Sequence, residues 1–98
     1  MYFITVFTKY ERDGTGVPII GSARTVGYYT NKKDAVAAVL ENCCDICEYT
    51  YDYAVVEFIE PGLYNPAEER WFFKWNGDKR CYEEIEPFVD CYGNYAFG

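Results

Sequence analysis

Cys44-Asp45-Ile46-Cys47 sets two thiols three residues apart. That spacing brings two sulfurs to one metal ion or to each other. A redox pair of this kind works at a helix N-terminus, where the dipole favours thiolate. Here the pair falls near the C-terminal end of a predicted helix, beside Asp45 and Glu48. Free carbonyls and carboxylates there disfavour a thiolate, so redox catalysis is not expected. A zinc site would need Cys81 or Cys91 as further ligands, because the chain has no histidine. Cys43 and Cys47 are instead expected as small core residues, and no metal or other cofactor is expected. Five cysteines are an odd, closely spaced set, which suits reduced thiols in a cytosol better than a disulfide framework.

Other catalytic chemistry is hard to assemble. Without histidine, and with Ser22 as the single serine, the usual Ser–His and Cys–His nucleophiles are excluded. The acid pairs Glu68-Glu69 and Glu83-Glu84 read as solvated surface rather than as an acid–base couple. Asp13-Gly14-Thr15-Gly16 is too short for a phosphate loop and lacks its lysine, so it reads as a turn. An enzyme is not expected.

Charge is more informative. Between Lys33 and Arg70 there is no Lys or Arg, yet Asp34, Glu41, Asp45, Glu48, Asp52, Glu57, Glu60, Glu68 and Glu69 all fall there. Tyr49, Tyr51, Tyr53 and Tyr64 are interleaved with them. With a net charge of −7 and a pI near 4.4, such a surface repels nucleic acid and anionic membrane and attracts a basic protein. On a helix continued to Glu48, the like charges Glu41, Asp45 and Glu48 repel one another at the wrong end of the dipole, each at a cost of a few tenths to about 1 kcal/mol. That cost is the argument for a partner-binding face of Glu41, Asp45 and Glu48, with Tyr49, Tyr51 and Tyr53 as anchors. The competing reading is plain solubility. Glu57 and Glu60 have opposite strand parity, which counts against a strict ladder of phosphate-like charges.

A second candidate rests on aromatics. Tyr28, Tyr29, Tyr49, Tyr51, Tyr53, Trp71 and Trp75 exceed what one small core needs. They can stack a nucleotide-like ring or build a subunit interface, or they can pair across the strands of a two-faced sheet. A ligand site would combine Tyr28, Trp71 and Trp75 with Arg24, Arg70 or Arg80 (Arg12 is a further candidate) to answer phosphates. A homo-oligomer would suit a site between subunits.

These residues need elements to hold them. Ninety-eight residues, half of them hydrophobic and a fifth aromatic, make one domain with one modest core and exclude disorder. Residues 2–10 alternate with neither face plainly polar, which predicts a central strand. A second strand from Ile19 to Tyr29 carries Gly21 and Gly27 as expected bulges. Thr30 or Asn31 caps a helix. Val36, Val39, Leu40, Cys43 and Cys47 fall on one side of its wheel, with Asp34, Ala38, Glu41, Asp45 and Glu48 opposite. A third strand spans residues 50–60. A fourth, Arg70 to Trp75, puts Trp71, Phe73 and Trp75 on one face. Asn76-Gly77 predicts a tight turn into a fifth strand near Lys79 to Ile85. Beyond Pro87 the aromatic tail is expected to dock on the body or on another subunit. The order β-β-α-β-β-β predicts a single α+β domain, one helix on a face of an antiparallel sheet of four to five strands. No apolar run reaches membrane-span length, and Met1-Tyr2-Phe3-Ile4 reads as a strand rather than a signal peptide. A cytoplasmic protein is expected.

Thr30 through Ala35 into Cys44-Asp45-Ile46, then Tyr53-Ala54-Val55-Val56-Glu57, Gly62-Leu63-Tyr64 and Trp71-Phe72-Phe73-Lys74-Trp75 resemble a family of small proteins of Firmicutes, their phages and mobile elements. The resemblance covers most of the chain and carries no functional residues. It implies a mobile-element setting, in which small acidic proteins often inhibit host immunity by binding. Some resemble anti-CRISPR proteins; others resemble oligomeric sponges for nucleotide signals. The expected function is thus a non-enzymatic inhibitor of a host defence protein with a basic surface, acting in the host cytoplasm. The alternatives are sequestration of a nucleotide-derived signal and an assembly module without inhibitory role.

Overall fold

The computed structural model describes residues 1–11, 18–63, 65–86 and 95–96. Strand β1 (Tyr2–Glu11) and β2 (Pro18–Tyr29) are followed by helix α1 (Lys32–Leu40), a 3-10 turn (Cys43–Asp45), and strands β3 (Tyr53–Phe58), β4 (Glu69–Asn76) and β5 (Cys81–Ile85). One antiparallel sheet has the order β2-β1-β3-β4-β5. This is the expected α+β architecture. Arg12, the Asp13–Gly16 turn, Tyr64, Cys91 and most of the expected tail lie outside the described residues.

β1 pairs on both sides and is covered on both faces, which is why neither of its faces reads as polar. On the helix side, Ile4 and Val6 join Ala54, Val56, Phe73 and Tyr82 beneath Ala35, Ala38, Val39 and Cys47. On the other side, Phe7, Val55 and Phe72 form a second cluster with Tyr53, Ile85 and Tyr95. The β1–β2 register shifts between Ile4 and Thr5, opposite Gly27–Thr25, and again between Phe7 and Lys9, opposite Ala23–Ile20. These irregularities fall where Gly27 and Gly21 announce them.

The second cluster is closed by the tail. Glu57 follows Val55 onto this face and is 0% exposed. Its carboxylate accepts from Arg70 Nε at 2.9 Å, from the Tyr95 backbone N–H at 3.1 Å and from the Ala96 backbone N–H at 2.7 Å. The Tyr95 ring stacks on Phe7 with centroids 4.9 Å apart and meets Phe72 edge-on. Tyr95 and Ala96 therefore dock on the body. A buried carboxylate is tolerable only when paired and hydrogen-bonded in this way.

The helix is shorter than its wheel suggests. Asn31 caps it: its Oδ1 accepts from the Asp34 N–H and its Nδ2 donates to the Asp34 carboxylate, both at 2.9 Å. The expected continuation to Glu48 does not form. Asn42 takes a left-handed conformation (φ 47°) one residue past Glu41, and its N–H donates to the Val39 carbonyl, a common helix stop. Asn42 then holds the next segment, accepting from the Cys47 N–H at 3.0 Å and donating to Asp45 at 3.2 Å. The wheel is also rotated: Ala35, Ala38 and Val39 are buried, while Leu40 is exposed. Cys47 is core as expected, but Cys43 is exposed. Glu41, Asp45 and Glu48 thus form no helical stripe, and the argument from like-charge spacing along a helix falls with it.

Candidate binding site

Among the described residues, six non-glycine residues have positive φ: Asn42, Cys44, Asp45, Glu48, Tyr49 and Arg80. Asn and Asp adopt this region at modest cost, but for the others it is unfavourable by roughly 1–2 kcal/mol each. Such strain persists only where surroundings enforce it, and it clusters at functional sites. Asn42, Asp45, Tyr49 and Arg80, four of the six, line one cleft of about 380 Å³ together with Cys47, Asp52, Trp75 and Gly77.

Three segments build this cleft. The first is the turn after α1. The second is the entry to β3, where the Asp52 carbonyl accepts from the Trp75 N–H at 2.7 Å and extends the β3–β4 ladder by one residue. The third is the β4–β5 connection. The expected tight turn follows Asn76. Asn76 pairs with Cys81, and its Oδ1 accepts from the Asp78 and Lys79 N–H groups at 3.0 and 3.2 Å. Four residues, Gly77 to Arg80, close the hairpin, with Arg80 at φ 54° as the left-handed residue before β5. Asn76 and Lys79 also favour the ionised Glu83, holding its carboxyl below the ordinary range, the Asn76 hydrogen bond being the larger cause.

The cleft is chemically mixed. Trp75 packs edge-on against buried Tyr82, centroids 5.1 Å apart. The Tyr82 hydroxyl donates to the Tyr51 carbonyl at 2.6 Å. Burial pushes the Tyr82 hydroxyl well above the ordinary tyrosine range, helped by Cys47 and then by the charges of Asp52 and Asp45. Among the described residues, neither Asp52 nor Arg80 forms a side-chain ion pair.

The raised Tyr82 value has a testable consequence. Above the unfolded-state value of about 10, the unfolded chain releases a proton that folded Tyr82 keeps. The unfolded state then binds fewer protons, so stability present below that pH falls as pH rises further. Urea unfolding at about pH 8 and about pH 11 is expected to show this loss, with a smaller loss in Tyr82→Phe.

Other predicted residues are placed as follows. Glu41, Asp45, Glu48 and Tyr49 lie exposed on one irregular segment, and Tyr49 is 99% exposed. Glu48 faces Arg24 at 3.4 Å, an exposed pair that contributes little. Tyr51 packs against the helix-side core. Tyr53 stacks on Phe7 across the sheet at 5.5 Å. The expected ligand set is dispersed: Arg24 pairs with Glu48, Arg70 with buried Glu57, and Tyr28 packs on Phe3. Trp71 lies under Lys32 Nζ at 4.2 Å from its ring centroid. Among the described residues of that set, only Trp75 and Arg80 line one cleft. Many aromatics pair across strands, Tyr2 with Phe58 among them at 4.8 Å.

Sequence reasoning missed Asn42, Asp52 and Gly77 as site residues. Asn42 carried a signal, since Asn is a frequent left-handed stop after a helix. Asp52 carried none, because only strand register places it opposite Trp75. Among the described residues, no group of three or more His, Cys, Asp or Glu could hold a metal ion, and no helix is long and apolar enough to cross a membrane. No protein-family model, curated protein or solved structure matches this chain.

Proposed function

We propose that this chain is a non-enzymatic binding protein whose Glu41–Asp52 segment docks on a basic protein surface. The observation that carries this reading is Tyr49. It is 99% exposed, held in the left-handed region, next to Glu48 in sequence, and shares a cleft with Asp45 and Asp52. An exposed tyrosine supplies contact area at low entropic cost. Carboxylates around it speed encounter with a basic partner and reject an acidic one. The resemblance to small mobile-element proteins adds a setting: a phage or mobile-element factor that neutralises a host defence component by occupancy, in the host cytoplasm.

The second reading, a sponge for a nucleotide-derived signal, draws on Trp75 and Arg80 sharing one cleft. Two carboxylates in that cleft oppose a phosphate. A thermal-shift screen with cyclic nucleotides and ADP-ribose derivatives tests it, since a bound ligand raises the melting temperature.

The docking reading is tested by capture from a defence-carrying host, an intact-assembly mass, and the affinity of the captured protein for variants. Tyr49→Ala and the triple change Glu41→Lys/Asp45→Lys/Glu48→Lys are each expected to weaken binding about tenfold or more with melting temperatures nearly unchanged. Unaltered affinity at low salt in both variants would reject it.

A further inference from the structure

We propose that the cleft between the Asn42–Asp52 segment and the β4–β5 turn takes an arginine side chain of the partner. This inference rests on the docking reading and names the group its cleft recognises. The Trp75 indole offers an aromatic platform, and a guanidinium stacks on such a face better than an ammonium does. Asp45 and Asp52 supply the acceptors. Both line the cleft, and they come from two different segments, the turn after α1 and the entry to β3. Asp45 accepts only from Asn42 with its side chain, at 3.2 Å, and the Asp52 carboxylate has no partner among the described residues. Planar forked donors suit carboxylate acceptors beside an aromatic face. The volume of about 380 Å³ leaves room for a long side chain, and Tyr49 is among the residues that line it.

Arg80 decides between an arginine and a phosphate. Two carboxylates against one guanidinium leave the cleft with a net negative charge. A phosphate at Arg80 meets repulsion from both acids in the cleft, whereas a guanidinium held by both acids meets repulsion from Arg80 alone. Removing Arg80 therefore has opposite signs for the two ligands: it strengthens arginine binding and abolishes nucleotide binding.

The test follows the Trp75 indole N–H resonance of the full chain during titration with N-acetyl-arginine-N-methylamide, its lysine counterpart and AMP. The arginine compound is expected to give a saturable shift in the millimolar range, about tenfold weaker in Asp52→Asn and severalfold tighter in Arg80→Ala. Lysine is expected to bind more weakly and AMP to leave the resonance unmoved. A folded protein with no arginine-dependent shift, an equal response to lysine, or an AMP shift lost in Arg80→Ala would overturn the assignment. Asp52 and Arg80 are not among the charge-reversed positions of the docking test. Asp45 belongs to both sets, so the double change Glu41→Lys/Glu48→Lys separates the readings: no arginine-dependent shift while that variant still binds the partner weakly leaves the docking reading standing, and full partner affinity in that variant and in Tyr49→Ala removes it.

Discussion

Replacing Glu57 with alanine is expected to destabilise the domain by about 3–5 kcal/mol, the range for breaking a buried ion pair by removing one partner. Glu57 is 0% exposed and accepts from three donors. Its loss removes the buried carboxylate that the Arg70 guanidinium, with only 22% of its side chain exposed, donates to, and removes the acceptor of the Tyr95 and Ala96 N–H groups. Domains of this size hold roughly 5–15 kcal/mol in total, so the change removes a large share. It should lower the melting temperature by about 12 °C or more. Glu57→Gln keeps the volume but presents one acceptor and one donor to three donors, so it recovers only part. Chemical denaturation of the three proteins checks the order. A cost below about 1 kcal/mol for Glu57→Ala would mean that the carboxylate is solvated rather than sealed.

Ending the chain before Tyr95 is expected to cost about 2–4 kcal/mol, from the lost ring burial and the lost bonds to a buried carboxylate. The stacked Phe7 and edge-on Phe72 would then face water beside an under-paired Glu57. Self-association at high concentration is expected to accompany the loss of stability, because an uncovered apolar patch on a sheet face seeks another surface. The truncation and Glu57→Ala remove the same contacts, so their combined cost should fall clearly short of the sum. Strict additivity in denaturant unfolding would show that tail and carboxylate act independently.

The fold was legible because its signals are local and periodic. Alternation put Ile4 and Val6 on one face and Phe7 on the other, and placed Trp71, Phe73 and Trp75 together. Asn31 announced the cap, and two glycines announced the bulges. The helix end was not legible, since apolar wheel positions continue to Cys43 and Cys47 while one left-handed residue, Asn42, stops the helix. Parity put Glu57 beside Val55 correctly. Its burial depends on a segment 38 and 39 residues away in sequence, which no local pattern reports. The cleft suffers the same limit: Asn42, Asp52 and Arg80 come from separate segments, and register and turn geometry bring them together. Five of the six left-handed residues fall between Asn42 and Tyr49, in a stretch whose composition reads as ordinary helix.

Carboxylates on the segment that carries Tyr49 are proposed to draw in a basic partner. The most direct measurement is the association rate constant of the captured partner for wild type and for Glu41→Lys/Asp45→Lys/Glu48→Lys, across a salt series. Attraction between opposite charges predicts a fast wild-type rate that falls steeply as salt screens it, and a slow, nearly salt-independent rate for the variant. Identical rates and identical salt slopes for the two proteins would contradict the account.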